Sequence, residues 1–198
     1  MTRALGAVVL AAALAALAAP RTAAAQHLVE VRGADTEYRF LDWNYTWKNG
    51  AVVDLFYVGV PDSNEFNLGG GYAFVRGPLV VSPLAYAVVG AEAGQRGVKV
   101  ALLVLFSQDG WKLQSFLGHY IHASGDVPSY QVLDTLDVTR AVGSMWEIGV
   151  QAGLFRVDGD WNQQIGPLVK LNDRLGSWSV SYRFGPQREF RLGRVLTF

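Results

Sequence analysis

Arg188-Glu189-Phe190-Arg191-Leu192-Gly193-Arg194-Val195-Leu196-Thr197-Phe198 ends the chain on an alternating pattern. Phe190, Leu192, Leu196 and Phe198 share one face; Glu189, Arg191, Gly193 and Thr197 share the other, with Val195 among them. A repeat of two is the side-chain period of a β-strand. One face of this strand wants an apolar neighbour and the other wants water. On these residues alone it is either the edge of a soluble β-protein or a strand with one face in lipid.

The upstream chain repeats the theme. Segments of about ten residues, the length of a membrane-crossing strand, are separated by brief turn signals. The turns fall at Gly33-Ala34-Asp35, Lys48-Asn49-Gly50, Pro61-Asp62-Ser63, Arg76-Gly77-Pro78, Ala93-Gly94-Gln95 and Ser107-Gln108-Asp109-Gly110. Others lie at Ser124 to Ser129, Ala141 to Ser144, Val157 to Asp160, Asn172-Asp173-Arg174 and Gly185-Pro186-Gln187. Short Gly/Pro/Asn/Asp clusters are hairpin chemistry. They leave twelve strand candidates, the first over His27 to Arg32, in an up-and-down meander. Three segments fit less well. Leu79 to Ala91 is apolar on both faces and contains Pro83; Pro167 interrupts another strand; Asp134 falls in line with Val132 and Leu136. Proline lacks the amide that a ladder needs, and a bulge shifts parity. Merging two of these segments with their neighbours would give ten strands.

Alternation by itself does not say which face meets water. Aromatic placement does. With both chain ends on one side, as an even strand number requires, Trp47, Phe74, Phe106, Trp111, Trp146, Trp178 and Phe198 collect near one set of strand ends. Tyr57, Phe66, Trp161, Phe184 and Phe190 collect near the other. Two aromatic belts around an aliphatic band match the interfaces of a bilayer. The terminal strand with its C-terminal Phe198 resembles the last strand of Gram-negative outer-membrane β-barrels. That resemblance implies an all-β, antiparallel transmembrane barrel closing on its first strand. It also implies recognition of Phe198 by the barrel-assembly machinery and contact with outer-membrane lipids, including lipopolysaccharide.

Composition fits this class. The chain has 198 residues, enough for one domain, and no Cys, so disulfide frameworks and thiolate metal sites are excluded. Its formal charge is zero, which removes the basic footprint of a nucleic-acid binder. Residues 1–25 read as a cleaved secretory signal peptide. Arg3 precedes an apolar core from Leu5 to Ala19, Pro20 and Arg21 break it, and Ala23-Ala24-Ala25 offers a small-residue cleavage site before Gln26. Residues 26–198 are then the barrel, with a small acidic excess.

The face opposite the apolar one carries Asp42, Asn44, Asp54, Glu65, Asn67, Lys99, Lys112, Gln114 and Tyr120. It continues with Gln131, Asp137, Glu147, Gln151, Gln164, Lys170, Arg183, Glu189 and Arg191. Both charge signs are interspersed. Such a lining suits a narrow porin-like channel for small hydrophilic or charged solutes, and small twelve-strand channels for acidic sugars or nucleosides are the class it resembles. The alternative is a closed structural barrel whose acid–base pairs fill the interior, with Phe40, Phe116 and Phe155 as further inward candidates. Short external turns leave no material for a deep constriction loop.

One stretch carries enzymatic chemistry. His122-Ala123-Ser124 resembles the His-x-Ser stretch of outer-membrane lipid A 3-O-deacylases, which implies a hydrolase with Ser124 as nucleophile, His122 as base and Asp126, Asp134 or Asp137 orienting it. The stretch departs from that family in lacking the following Asn and a Glu at the expected distance. No catalytic residue is therefore favoured. His119 falls on the apolar face, where it would sit opposite Asp134 as a cross-strand pair or touch a lipid headgroup. Arg194 shares a face with Leu192 and Leu196; at mid-bilayer a bare Arg costs roughly 2–4 kcal/mol, so it must snorkel, pair or face a partner. The three His are not spaced as metal ligands, and Asp158-Gly159-Asp160 lacks the remaining ligands of a calcium loop. Gly69-Gly70-Gly71 lies within a strand rather than a phosphate loop. No metal or cofactor is expected.

Overall fold

The computed structural model describes residues 26–61, 63–90 and 94–198. The signal-peptide expectation for residues 1–25 falls outside them. The elements are β1 (Gln26–Ala34), β2 (Arg39–Thr46), β3 (Ala51–Val60), β4 (Ser63–Tyr72), β5 (Phe74–Arg76), β6 (Leu79–Gly90) and β7 (Arg96–Gln108). They continue with β8 (Trp111–Ser124), β9 (Tyr130–Val142), β10 (Trp146–Val157), β11 (Asp160–Asp173), β12 (Gly176–Arg183) and β13 (Glu189–Thr197). Every strand pairs antiparallel with its neighbours in the wall, and β1 pairs with β13. The sheet is a closed barrel. At the seam, Leu28 faces Thr197 and Ala34 faces Arg191, while His27 and Phe198 exchange backbone hydrogen bonds of 3.2 and 3.1 Å.

The wall has twelve strands, because β5 continues β4. Gly71 faces Leu84 and Phe74 faces Val81, so both segments keep one register along β6. Between them the Ala73 amide turns away to the Gly50 carbonyl at 2.7 Å. This break explains Pro83. In that register Pro83 lies opposite Tyr72, where the ladder lapses, while on its other side it pairs with Leu102 without irregularity. Pro167 behaves alike. The β11–β12 ladder stops at Leu168–Ser181 and resumes at Ile165–Phe184, with bonds of 2.9 and 2.8 Å. Each proline sits where its missing donor is not demanded. Neither segment merges with a neighbour, so the ten-strand alternative does not apply.

The faces are inverted relative to a soluble protein. Lys99, Glu147 and Arg183 are each 2% exposed, whereas Phe66, Leu68 and Ile148 are more than half exposed. Burying charge inside and presenting aliphatics outside is stable only if the outside is hydrocarbon. Trp47, Trp111, Trp146, Trp178 and Phe198 are exposed at the end carrying the chain termini, and Phe66, Trp161, Phe184 and Phe190 at the other. These are the two belts. Arg194 is accommodated by pairing: it bonds Asp173 in the β11–β12 hairpin at 2.8 Å and lies 4.9 Å over the Trp178 ring. Its charge is thereby held at the interface rather than in lipid.

Glycine allows close approach of neighbouring strands in this wall. A Cβ on Gly149 would lie 1.9 Å from the Val138 carbonyl oxygen. Gly149→Val is expected to destabilise the barrel by about 1–3 kcal/mol through overpacking. The check is the urea midpoint of the heat-modifiable gel form, which must fall. An unchanged midpoint contradicts the pairing of Gly149 with Thr139 on β9.

Candidate functional site

The lumen is built by alternation, strand by strand. From β1 come Glu30 and Arg32, from β2 Phe40 and Asp42, from β3 Asp54 and Phe56, and from β4 Glu65; β7 adds Lys99, β12 Arg183, and β13 Glu189 and Arg191. They line a cavity of about 980 Å³. Pro61, Ser63, Asp126 and Pro128 at the external rim belong to its wall, and so do Gln26, Leu28 and Thr46 at the periplasmic rim. A smaller cavity of about 90 Å³ lies between Glu30, Arg32, Thr135, Asp137, Gln151 and Lys170.

Of the residues read as channel-lining, Asp42, Asp54, Glu65, Lys99, Arg183, Glu189 and Arg191 face the large cavity, as do Asn44, Gln114 and Gln164. Asp137, Lys170 and Gln151 face the small one. Lys112 and Glu147 line neither cavity and are joined to each other. Asn67 and Tyr120 are fully buried. Phe40, Phe116 and Phe155 do face the large cavity. Gln131 corrects the expectation: it pairs with His119, which pairs with exposed Val100, so all three lie on the outer face.

Asp134 is the larger correction. It is not on the outer face opposite His119. Leu136 faces Ser115 and Ala152, and Leu133 faces Leu117 and Leu154, so Asp134 and Thr135 together oppose one residue on each neighbour. This is a bulge, and it turns Asp134 inward. Opposite the bulge on β10 stands Gly153, which takes up no side-chain space. Asp134 then reaches across the lumen. Its carboxylate accepts from Arg32 at 3.2 Å and from Arg191 at 3.1 Å, and the Tyr38 hydroxyl donates to it at 3.2 Å. Three strands separate β9 from β13 along the wall, so this contact braces the barrel from within.

The remaining charges are organised around it. Arg32 also forms an ion pair with Glu30 at 3.1 Å, and both Arg183 and Arg191 bond Glu189. Thr36 donates to the second Glu189 oxygen at 2.9 Å. Lys99 is held by Glu65, which also accepts from Tyr130 at 2.6 Å. Lys170 bonds Asp137 at 2.8 Å, and Lys112 bonds Glu147. Each of these lumen cations thus has a carboxylate partner. The other side of the lumen is aromatic: Phe56 lies 5.9 Å from Phe40, 5.9 Å from Phe116 and 5.0 Å from Tyr86. Arg32 is 3.9 Å above Phe40, where the two regions meet.

The hydrolytic constellation does not assemble. His122 Nδ1 donates to the Val127 carbonyl at 2.9 Å, and the Ser124 hydroxyl donates to the Gly94 carbonyl at 2.9 Å. Asp134 is engaged by the two arginines, away from both. No group of metal-ligating side chains occurs among the described residues. Glu30 and Arg32 escape a reading of the sequence alone, although their parity opposite Val29 and Val31 carries the signal.

Fold and lumen define the class: a twelve-stranded transmembrane β-barrel. No family model and no curated protein matches the sequence. Solved structures do match. A KdgM porin superposes with a TM-score of 0.65 at 13% identity, covering 87% of this chain and 99% of that one. A KdgM porin in complex with disordered oligogalacturonate gives 0.65 at 12%, with the same coverage. A NanC porin gives 0.59 at 13%, covering 86% of this chain and 98% of that one. At these identities the likeness is one of fold.

Removing the brace tests its weight. Asp134→Ala leaves Arg32 and Arg191 without their shared acceptor and is expected to cost about 3 kcal/mol or more. Urea unfolding in detergent micelles reads this as a lower midpoint. An unchanged midpoint contradicts the bracing role.

Proposed function

We propose that the protein is a narrow passive channel of the outer membrane for small hydrophilic or charged solutes. The single observation that carries this reading is the cavity of about 980 Å³ whose wall includes residues of both rims. A barrel filled for strength alone would interrupt that path with packed side chains. Here the ion pairs gather at Asp134 and Glu189, and the cavity has lining residues at both rims beside them. The porin fold of the superposing structures supports the same reading. One of those porins is described in complex with disordered oligogalacturonate. The leader at residues 1–25 would direct export through the inner membrane, and Phe198 would be read by the assembly machinery. Lipopolysaccharide would then surround the external belt.

The purified protein in a planar bilayer is expected to give discrete conductance steps that scale with salt concentration. A folded, heat-modifiable barrel that inserts without any step would refute the channel and leave a closed structural barrel.

A further inference from the structure

We propose that this pore serves zwitterionic small molecules with an apolar body, the chemistry of an amino acid with a hydrocarbon or aromatic side chain. The inference rests on the channel reading and names its solute class. Its first ground is an apolar stripe along the lumen. Near the rim that carries the chain termini, Val80 of β6 faces Leu105 of β7. Two residues along β7, on the same face, Leu103 faces Phe116 of β8. The Phe116 ring lies 5.9 Å from Phe56, and Phe56 lies 5.9 Å from Phe40, which faces Val58 toward the external end of β3. All of these line the large cavity, and all but Phe56 are only half-buried. Asp42 and Asp54, which interrupt the stripe, are bonded to each other, and Asp54 also accepts from the Tyr86 hydroxyl at 2.6 Å. Apolar surface left open on an aqueous path favours a solute that can cover it with apolar surface of its own. A fully hydroxylated sugar gains little from such a wall.

The second ground is the ion-pair cluster, which meets the stripe at Arg32, 3.9 Å above the Phe40 ring. Both charge signs alternate there. Glu30 pairs with Arg32, Arg32 with Asp134, Asp134 with Arg191, and Arg191 with Glu189. All five line the same cavity. A solute with a single charge finds its matching group already engaged. An ammonium and a carboxylate carried on one carbon match the alternation together, each beside a group of opposite sign. The apolar body attached to that carbon then has the stripe to lie against.

Osmotic swelling of proteoliposomes tests the inference with L-phenylalanine and L-glutamine, protein-free liposomes giving the baseline. Both probes are zwitterions, and phenylalanine is the bulkier. The wild type is expected to admit phenylalanine faster by about twofold or more, whereas sieving by size gives the opposite order. In a KCl gradient across a planar bilayer, its preference between potassium and chloride should stay within about threefold. Val58→Thr with Val80→Thr keeps the shape of the wall and makes it polar. In a variant whose heat-modifiable gel form shows it folded, the phenylalanine advantage should fall by about a third or more. Faster entry of glutamine into wild-type vesicles overturns the solute class while leaving the channel intact, whether or not the variant folds. A strong preference for either ion contradicts the match to a zwitterion, and an unchanged ratio in the folded variant contradicts the role of the stripe. Absence of both swelling and conductance in the wild type overturns the channel reading and this inference with it.

Discussion

Closure of the hydrogen-bonded sheet is the constraint from which the rest follows. In hydrocarbon no water is present to satisfy an amide or a carbonyl, and an open edge would leave a row of each. The seam between β1 and β13 removes that edge, and its last exchange joins His27 to Phe198. With the wall closed, alternation sorts every side chain into lipid or lumen. The prolines that cannot contribute to the ladder are placed at its two lapses, beside Ala73 and before Leu168. The cost of a missing donor is thereby avoided at both sites.

Closure also creates the problem that the interior solves. Alternation on twelve strands brings charged side chains into a confined space, where an unpaired charge is expensive. The answer is asymmetric. Arginines of β1, β12 and β13 converge on Glu189 and on Asp134, which the bulge sends across the lumen. On the other side Phe40, Phe56, Phe116 and Tyr86 pack ring to ring. The large cavity is walled by both groups.

The barrel is largely legible in the sequence because its signals are local. All eleven turn clusters coincide with chain reversals, and the aromatic belts follow from where strands end. Residues on uninterrupted strands, such as Asp54, Lys99 and Arg183, take the face that parity assigns. Parity fails where the count of residues is not conserved between strands. On β9 the bulge at Asp134 and Thr135 shifts the phase, which puts Gln131 outside and Asp134 inside. Nothing in the one-dimensional pattern marks a bulge apart from a polar residue out of step. Pairing across the lumen is illegible for a different reason. It joins Asp134 to Arg32 and Arg191, and shape and rotamer rather than sequence spacing decide whether such groups meet.

The inverted wall is the central claim, and cysteine accessibility measures it most directly. The chain has no native cysteine, so each introduced thiol reports alone. Single replacements from Phe40 to Asn44 in reconstituted vesicles would be labelled with a membrane-impermeant reagent and, separately, probed with a lipid-phase quencher. Alternation is the expected result: positions 40, 42 and 44, which line the large cavity, react from water, and positions 41 and 43 respond only to the quencher. The opposite phase, or uniform aqueous reactivity along β2, would contradict it.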